Sequence, residues 1–268
     1  MLIGIDGNEA NVKRRVGISE YAFELLRQFE EFRIQNSEFR IYLKDKPRED
    51  LPKEREGWRY RIVWPRRFWT QIGLPFDLYT NKSRPDVFFT PSHYAPRFSP
   101  VPTAVSVMDL SYIHFRELFR ATDLYQLKNW TAYSVKNSSK IFTISQASKD
   151  DIIKEYGVSE DRVVVTYPGI RQGLMIKDKG LSMEDIKKKY GVEGKYILFV
   201  GTLQPRKNIV RLIEAFSRVS RSSLIPNTLS LIIIGKKGWL YEEILGAPKK
   251  FNIENRVKFL DFVPDEDL

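Results

Sequence analysis

The chain has 268 residues, 42% of them apolar or aromatic, and a net charge of +10 spread over both halves. That length suits two ordinary domains with sizeable cores, and the lack of cysteine excludes disulfides and thiolate chemistry and fits a reducing compartment. Two histidines are too few for a His-rich zinc centre, and the basic balance points to nucleic acid, an anionic membrane surface or a phosphorylated ligand.

The first ten residues, MLIGIDGNEA, read as a strand and not as a signal peptide, and no apolar run approaches the ~20 residues of a membrane span. Short apolar runs predict strands at 2–5, 39–43, 60–63, 87–90, 103–107, 141–144 and 163–166, then at 196–200, 229–234 and 257–259. Between them, Ile18, Tyr21, Ala22, Leu25, Leu26, Phe29 and Phe32 recur at helical spacing, as do Ile209, Leu212, Ile213, Phe216 and Val219. Ser148 with Asp151 reads as a capping box, and Gly157 marks the stop of that helix. DIIKEYGV (151–158) and DIKKKYGV (185–192) read as one helix-stop-strand device used twice. Alternating strands and helices predict an α/β protein with parallel sheets covered on both faces.

The Gly- and Lys-rich stretch 171–194 is expected to link a domain spanning 1–170 to a partial domain at 195–268. Three strands make about half of a doubly wound domain. The expectation is either a chain cut short or a naturally short protein, with an open sheet edge that a partner or a second copy covers.

In open parallel sheets ligands bind beyond the carboxyl ends of the strands. After the first strand, Gly17 precedes a helix; it serves either the turn alone or close approach of an anion to backbone N–H groups. Asp109, at the end of another strand, either caps the next turn or orients a ligand hydroxyl. His93 follows a strand end beside Tyr94 as a site or loop residue, and His114 reads as structural. In ILFVGTLQPRKNIVRLIEAF the strand is followed by Gly201, a short turn, and then Arg206 and Lys207 beside Asn208, a residue suited to an N-cap. Cations at the positive end of a helix dipole are unfavourable by about 0.3–1 kcal/mol each. They are either solvated and screened, or they grip a bound anion such as a diphosphate. WPRRFWTQIGLPFDLY mixes cations and aromatics, which suits an interface with bases, sugars or lipid, or a helix that packs its rings inward while the arginines snorkel.

Two long stretches, ILFVGTLQPRKNIVRLIEAF and IFTISQASKDDIIKEYGVSEDRVVVTYPGI, closely resemble the donor-domain start and the first-domain end of the family-4 retaining glycosyltransferases. RRVGISEYAFELL, RPDVFFTPSHYAP and VSVMDLSYIHFRELF resemble further family segments, in the expected order. The resemblance implies a GT-B architecture of two Rossmann-like domains with the active site in the cleft between them. It implies transfer of a hexose of mannose or glucose type from a nucleotide-diphosphate sugar to a polysaccharide or lipid-linked acceptor, with retention of configuration and without a metal or other cofactor. On that basis Asp109 is the expected catalytic residue; Gly17, Gly201, Thr202, Arg206 and Lys207 the donor-diphosphate contacts; and His93 and Ser145 the acceptor or sugar contacts. The expected partners are the nucleotide sugar, the glycan acceptor and an anionic membrane, not nucleic acid, and the expected location is the cytoplasm at the inner membrane face. Departures from the family pattern are Met108 where histidine often stands, Ser19 in the glycine loop, and Thr202 in place of an arginine. The family's two-glutamate motif would fall beyond Leu268. The competing expectation is a non-catalytic remnant of this fold, acting as an interaction subunit.

Overall fold

The computed structural model describes residues 1–15, 17–32, 36–169, 182–222, 228–264 and 267–268. It divides into two compact units, Met1–Pro168 and Gly169–Leu268.

The first unit is a seven-stranded sheet built from β1 (Leu2–Asp6), β2 (Glu38–Leu43), β3 (Trp58–Ile62), β4 (Val87–Thr90), β5 (Thr103–Ser106), β6 (Lys140–Thr143) and β7 (Val163–Val165). Every pairing is parallel, and the strand order is β3-β2-β1-β4-β5-β6-β7. The order reverses between β1 and β4, which places a topological switch point at the carboxyl ends of those strands. Side-chain alternation along β2 serves both faces of the sheet. Phe39, Ile41 and Leu43 join Ile5, Leu26 and Trp58 under helix α1 (Ile18–Phe32), while Tyr42 packs with Val63, Trp69, Leu74 and Leu78 on the opposite side. That opposite side is covered by a π-helical turn (Trp69–Gly73) running into α2 (Leu74–Thr80). The remaining helices are the short α3 (Ser111–His114), α4 (Ala121–Asn137) and α5 (Gln146–Tyr156).

The second unit holds β8 (Tyr196–Val200), β9 (Ser230–Ile234) and β10 (Val257–Leu260), again all parallel, in the order β10-β9-β8. Helices α6 (Met183–Tyr190), α7 (Ile209–Ser220) and α8 (Glu242–Lys250) pack on it. Ile209, Ile213 and Phe216 bury the apolar face of α7 against Leu231 and Ile233, each side chain contributing roughly 1.5–3 kcal/mol.

All ten strands expected from apolar runs form, within two residues at each end. Three expectations change. The stretch 171–194 is more than a linker: residues 170–181 lie outside the described ones, but α6 is a helix capped by Ser182 and Asp185, and Tyr190 and Val192 pack against Ile232 and Ile234. The capping box at Ser148 and Asp151 does not form. The N-cap is Ser145, whose side chain accepts from Ser148 N–H at 3.1 Å, and Ser148 lies buried inside the helix. Asn208 precedes α7 with no side-chain cap; it adopts a left-handed conformation, φ 54°, that asparagine tolerates better than most residues. The helix-stop-strand device does recur: Gly157 and Gly191 end α5 and α6 in the same left-handed conformation.

Candidate functional site

In the second unit, β8 ends at Val200 and the chain turns through Gly201 and Thr202. Gly201 N–H donates to Ile234 O at 2.8 Å. A short 3-10 turn (Pro205–Lys207) then leads through Asn208 into α7, whose first turn carries no acid. Arg206 and Lys207 are thus held one turn ahead of the helix, both exposed. Lys207 has no ion pair or side-chain hydrogen bond among the described residues.

The loop after β9 is fastened to this one. Leu203 N–H donates to Lys236 O, and Gly238 N–H donates back to Leu203 O, both at 2.9 Å. Gly235, at φ 151°, lies so close to Gly201 that a Cβ there would sit 2.0 Å from the Gly201 carbonyl oxygen. The clasp brings the exposed Lys236 and Lys237 to the same sheet end as Arg206 and Lys207. Sequence reasoning missed this second pair because cations following an apolar strand look like ordinary solvated ends. The signal was the glycine on either side, GKKG. Gln204 was also missed: it is 5% exposed, and its Oε1 is buried with no hydrogen-bond partner. An unsatisfied buried acceptor costs about 1–3 kcal/mol and suits a donor hydroxyl from a ligand. Four exposed cations, the backbone N–H groups of a helix start and a buried acceptor without a partner gather at this sheet end, the chemistry that an anion with a polar neighbour would require.

In the first unit the loop after β1 is braced. Asn8 donates to Asp6 Oδ1 from its backbone at 3.0 Å and its side chain at 2.7 Å, and its Oδ1 accepts from Lys44 N–H at 2.8 Å. Asn11 bonds the backbone of Lys46 and Arg48, and Arg15 pairs with Asp50 at 2.8 Å. The loop delivers Gly17, at φ 55°, to the start of α1, with open space where a Cβ would stand. The backbone conformation explains the glycine, and that space leaves room for a ligand to approach.

Asp6 is the residue of this unit that sequence reasoning missed. It is 8% exposed at the carboxyl end of β1, and burial pushes its pKa from 3.8 to about 6 against the pull of its Asn8 hydrogen bonds. A raised carboxyl pKa means the folded state holds a proton that the unfolded chain releases between about pH 4 and 6. Stability is therefore full below about pH 4 and falls as pH rises through 6, by roughly 2–3 kcal/mol. In denaturant titrations at pH 4 and pH 8, wild type loses this amount relative to Asp6→Asn. A flat difference between the two would show that Asp6 titrates normally.

Around the other strand ends, His93 follows β4, Asp109 follows β5 and Ser145 follows β6. Burial lowers the His93 pKa, opposed by the nearby Asp109 carboxylate, and His93 Nδ1 is buried without a partner. Asp109 Oδ1 accepts from Ser111 N–H at 2.9 Å, so it does cap the following turn. Ser145 works as the α5 cap and also donates to Ser148 Oγ at 3.0 Å; Ser148 Oγ in turn donates to Met108 O at 2.9 Å. Ser145 thereby ties the start of α5 to the segment carrying Asp109. His114 pairs with Asp151 at 2.9 Å, a surface contact. The Asp109 carboxylate thus lies near enough for His93 to feel its charge, and Ser145 has a structural task.

Residues 16–172 match the glycosyltransferase family 4 description, and residues 182–268 match glycosyl transferases group 1. The chain belongs to glycosyltransferase family 4. Within this family, the O-antigen chain mannosyltransferase B of Escherichia coli is 27% identical over 135 residues, half of this chain and 35% of that protein. An uncharacterized glycosyltransferase of Methanocaldococcus jannaschii is 28% identical over 166 residues, 58% of this chain and 41% of that one. The family-4 chain therefore spans about 35–41% of the length of these relatives. Among solved structures, WaaG, a glycosyltransferase involved in lipopolysaccharide biosynthesis, aligns with a TM-score of 0.69 at 15% identity, over 100% of this chain and 71% of that one. Anabaena HepE in complex with UDP-glucose aligns at 0.66 and 18% identity, over 99% and 70%. At those identities the likeness speaks for fold: the family-4 chain is built from Rossmann-like units of the GT-B type. No helix among the described residues is long and apolar enough to cross a membrane.

Proposed function

We propose that the protein transfers a hexosyl group of mannose or glucose type from a nucleotide-diphosphate sugar to a polysaccharide or lipid-linked acceptor, with retention of configuration. The observation that carries the reading is the clasped pair of basic loops after β8 and β9 ahead of an acid-free α7 N-terminus. A diphosphate there meets Arg206, Lys207, Lys236 and Lys237 and turns a dipole penalty into a gain. In the reaction the anomeric carbon–oxygen bond to the diphosphate breaks, and a bond to the acceptor oxygen forms on the same face. The acceptor proton passes to the departing phosphate. Catalysis is then positioning plus stabilisation of leaving-group charge, supplied in this proposal by the lysines and arginine without a metal. Asp109 and His93 serve the acceptor side. The names of two relatives support the donor class: a mannosyltransferase of O-antigen chains, and HepE crystallised with UDP-glucose.

The test is a calorimetric panel on the full chain with UDP-glucose, GDP-mannose, the free nucleoside diphosphates and the nucleosides. At least one diphosphate compound binds with micromolar affinity and its nucleoside binds at least about tenfold more weakly, a difference of ~1.4 kcal/mol. If nucleosides bind as well as their diphosphates, or if nothing in the panel binds, the reading is wrong.

A further inference from the structure

One side chain of the clasped loops has no hydrogen-bonding work within the fold. Gln204 stands between the clasp and the 3-10 turn, extended at φ −155° and ψ 151°, and is buried. Its burial comes from the facing loop: a Cβ placed on Gly238 would lie 3.4 Å from the Gln204 Cβ, so bare backbone packs against it. Buried carboxamides are as a rule hydrogen-bonded to the main chain or to another side chain. This one caps nothing, and its Oε1 has no partner. The main-chain donors around it are spent on carbonyls. Leu203 N–H goes to Lys236 O, Gly238 N–H to Leu203 O, Lys207 N–H to the Gln204 carbonyl and Asn208 N–H to Pro205 O. The clasp therefore holds without the Gln204 side chain, and the fold carries an unpaired acceptor there at a cost in stability.

An unpaired acceptor calls for a donor, and that requirement is selective. The exposed Arg206, Lys207, Lys236 and Lys237 at the same sheet end suit an anion. The oxygens of an ionised diphosphate accept hydrogen bonds and have no proton to give. Against Gln204 Oε1 they would set lone pair against lone pair. The group that satisfies Oε1 is a donor carried next to the anion. A nucleotide-diphosphate sugar has such groups on both sides of its diphosphate, ribose hydroxyls on one and hexose hydroxyls on the other. The N–H groups of its base stand a ribose further off, and bare pyrophosphate has no such donor. A buried polar group made for a substrate hydroxyl rejects ligands that lack one, because it then stays unpaired.

Taking the donor class proposed above, we propose that Gln204 is a specificity-determining residue of the donor site: its Oε1 accepts a hydrogen bond from a sugar hydroxyl next to the diphosphate. The work is divided between two kinds of group. The four cations attract any small anion, and their attraction fades with salt. Gln204 tells a diphosphate that carries a sugar from the bare ion. Removing its acceptor takes a cost from the empty protein and a contact from the loaded one, so stability and affinity move in opposite directions.

Calorimetry on the full chain with inorganic pyrophosphate, a nucleoside diphosphate and the matching nucleotide sugar tests it, with Gln204→Met and Gln204→Leu beside wild type. Both variants remove the acceptor and keep the space filled. Their pyrophosphate affinity stays within about twofold of wild type, and their nucleotide-sugar affinity falls about tenfold. If the nucleoside diphosphate weakens along with the nucleotide sugar, the hydroxyl belongs to the ribose; if it does not, the hydroxyl belongs to the hexose. Thermal unfolding of the ligand-free protein is the second readout. The variants unfold at the wild-type temperature or above it, because an apolar group in place of an unpaired buried polar one is neutral or stabilising. The proposal is overturned if the variants bind the nucleotide sugar within about twofold of wild type. It is overturned if pyrophosphate weakens by the same factor, which makes Gln204 a residue that shapes the phosphate loops. It is overturned too if both variants unfold more than about 5 °C early or fail to fold, which shows that the carboxamide is bonded within the fold. Wild type that binds neither nucleoside diphosphate nor nucleotide sugar sinks the donor class and this inference together. Wild-type binding that both variants retain sinks this inference alone.

Discussion

Replacing Lys207 with alanine weakens binding of the nucleotide-diphosphate sugar by about ten- to a hundredfold while leaving the empty protein as stable as before or slightly more so. The two effects have opposite signs because they share one cause. Lys207 is exposed, has no ion pair among the described residues, and stands ahead of the acid-free first turn of α7. Without a ligand its charge opposes the helix dipole, by about 0.3–1 kcal/mol at low ionic strength. With a diphosphate bound, it makes a charge-assisted contact worth roughly 1.5–3 kcal/mol. Calorimetry with the donor identified in the panel, together with a denaturant titration of the ligand-free protein, measures both. Lys207→Arg keeps the charge and recovers part of the affinity. A variant that binds donor as wild type does removes Lys207 from the site. A variant that loses both affinity and stability makes it a structural residue instead.

Gly235→Ala disrupts the second unit outright. The added Cβ would lie 2.0 Å from the Gly201 oxygen and 2.6 Å from its carbonyl carbon. Both are backbone atoms, so no rotamer relieves the clash, and φ 151° is itself open only to glycine. The loss exceeds ~4 kcal/mol, a range that backbone strain and gross overpacking reach. Thermal unfolding followed by circular dichroism, with limited proteolysis to tell the units apart, reads it. Gly246→Ala is the matched control: it lies inside α8 with nothing within 4 Å of the new methyl. It should gain about 0.5–1 kcal/mol from helix propensity. If Gly235→Ala unfolds like wild type, the two loops are not in backbone contact.

The strands were readable because parallel sheets in α/β units are built from continuous apolar runs, and this held even for β8, whose Ile197, Leu198 and Val200 are exposed. The helices were less so. Helix α4 buries Thr131, Ser134 and Val135, so its inner face carries little apolar signal, and α8 contains Pro248, a residue that argues against a helix interior. Ser148 and Asp151 have the spacing of a capping box, yet the Ser148 hydroxyl goes to the Met108 carbonyl, a partner forty residues away that no local pattern contains. At the candidate sites, Arg206 and Lys207 stood out because they violate a local rule. Asp6, Gln204 and the Lys236–Lys237 pair did not, because burial and the fastening of one loop to another are tertiary facts. The aromatic stretch after β3 split: Trp69 went inside as an ordinary core residue, and its neighbours Trp64, Phe68 and Phe76 stayed out.

The fastening of Leu203 to Lys236 and Gly238 separates framework from variable surface. Its hydrogen bonds run between main-chain atoms, so they tolerate almost any side chain at Lys236 and Lys237. Positions 201 and 235, by contrast, touch through their backbones. Descendants of such a chain are free to exchange the exposed groups, and with them ligand preference, on an unchanged scaffold. Drift at Gly235 is blocked unless the other loop is rebuilt in the same step, whereas a Cβ at Gly201 meets only the Phe199 ring at 3.3 Å.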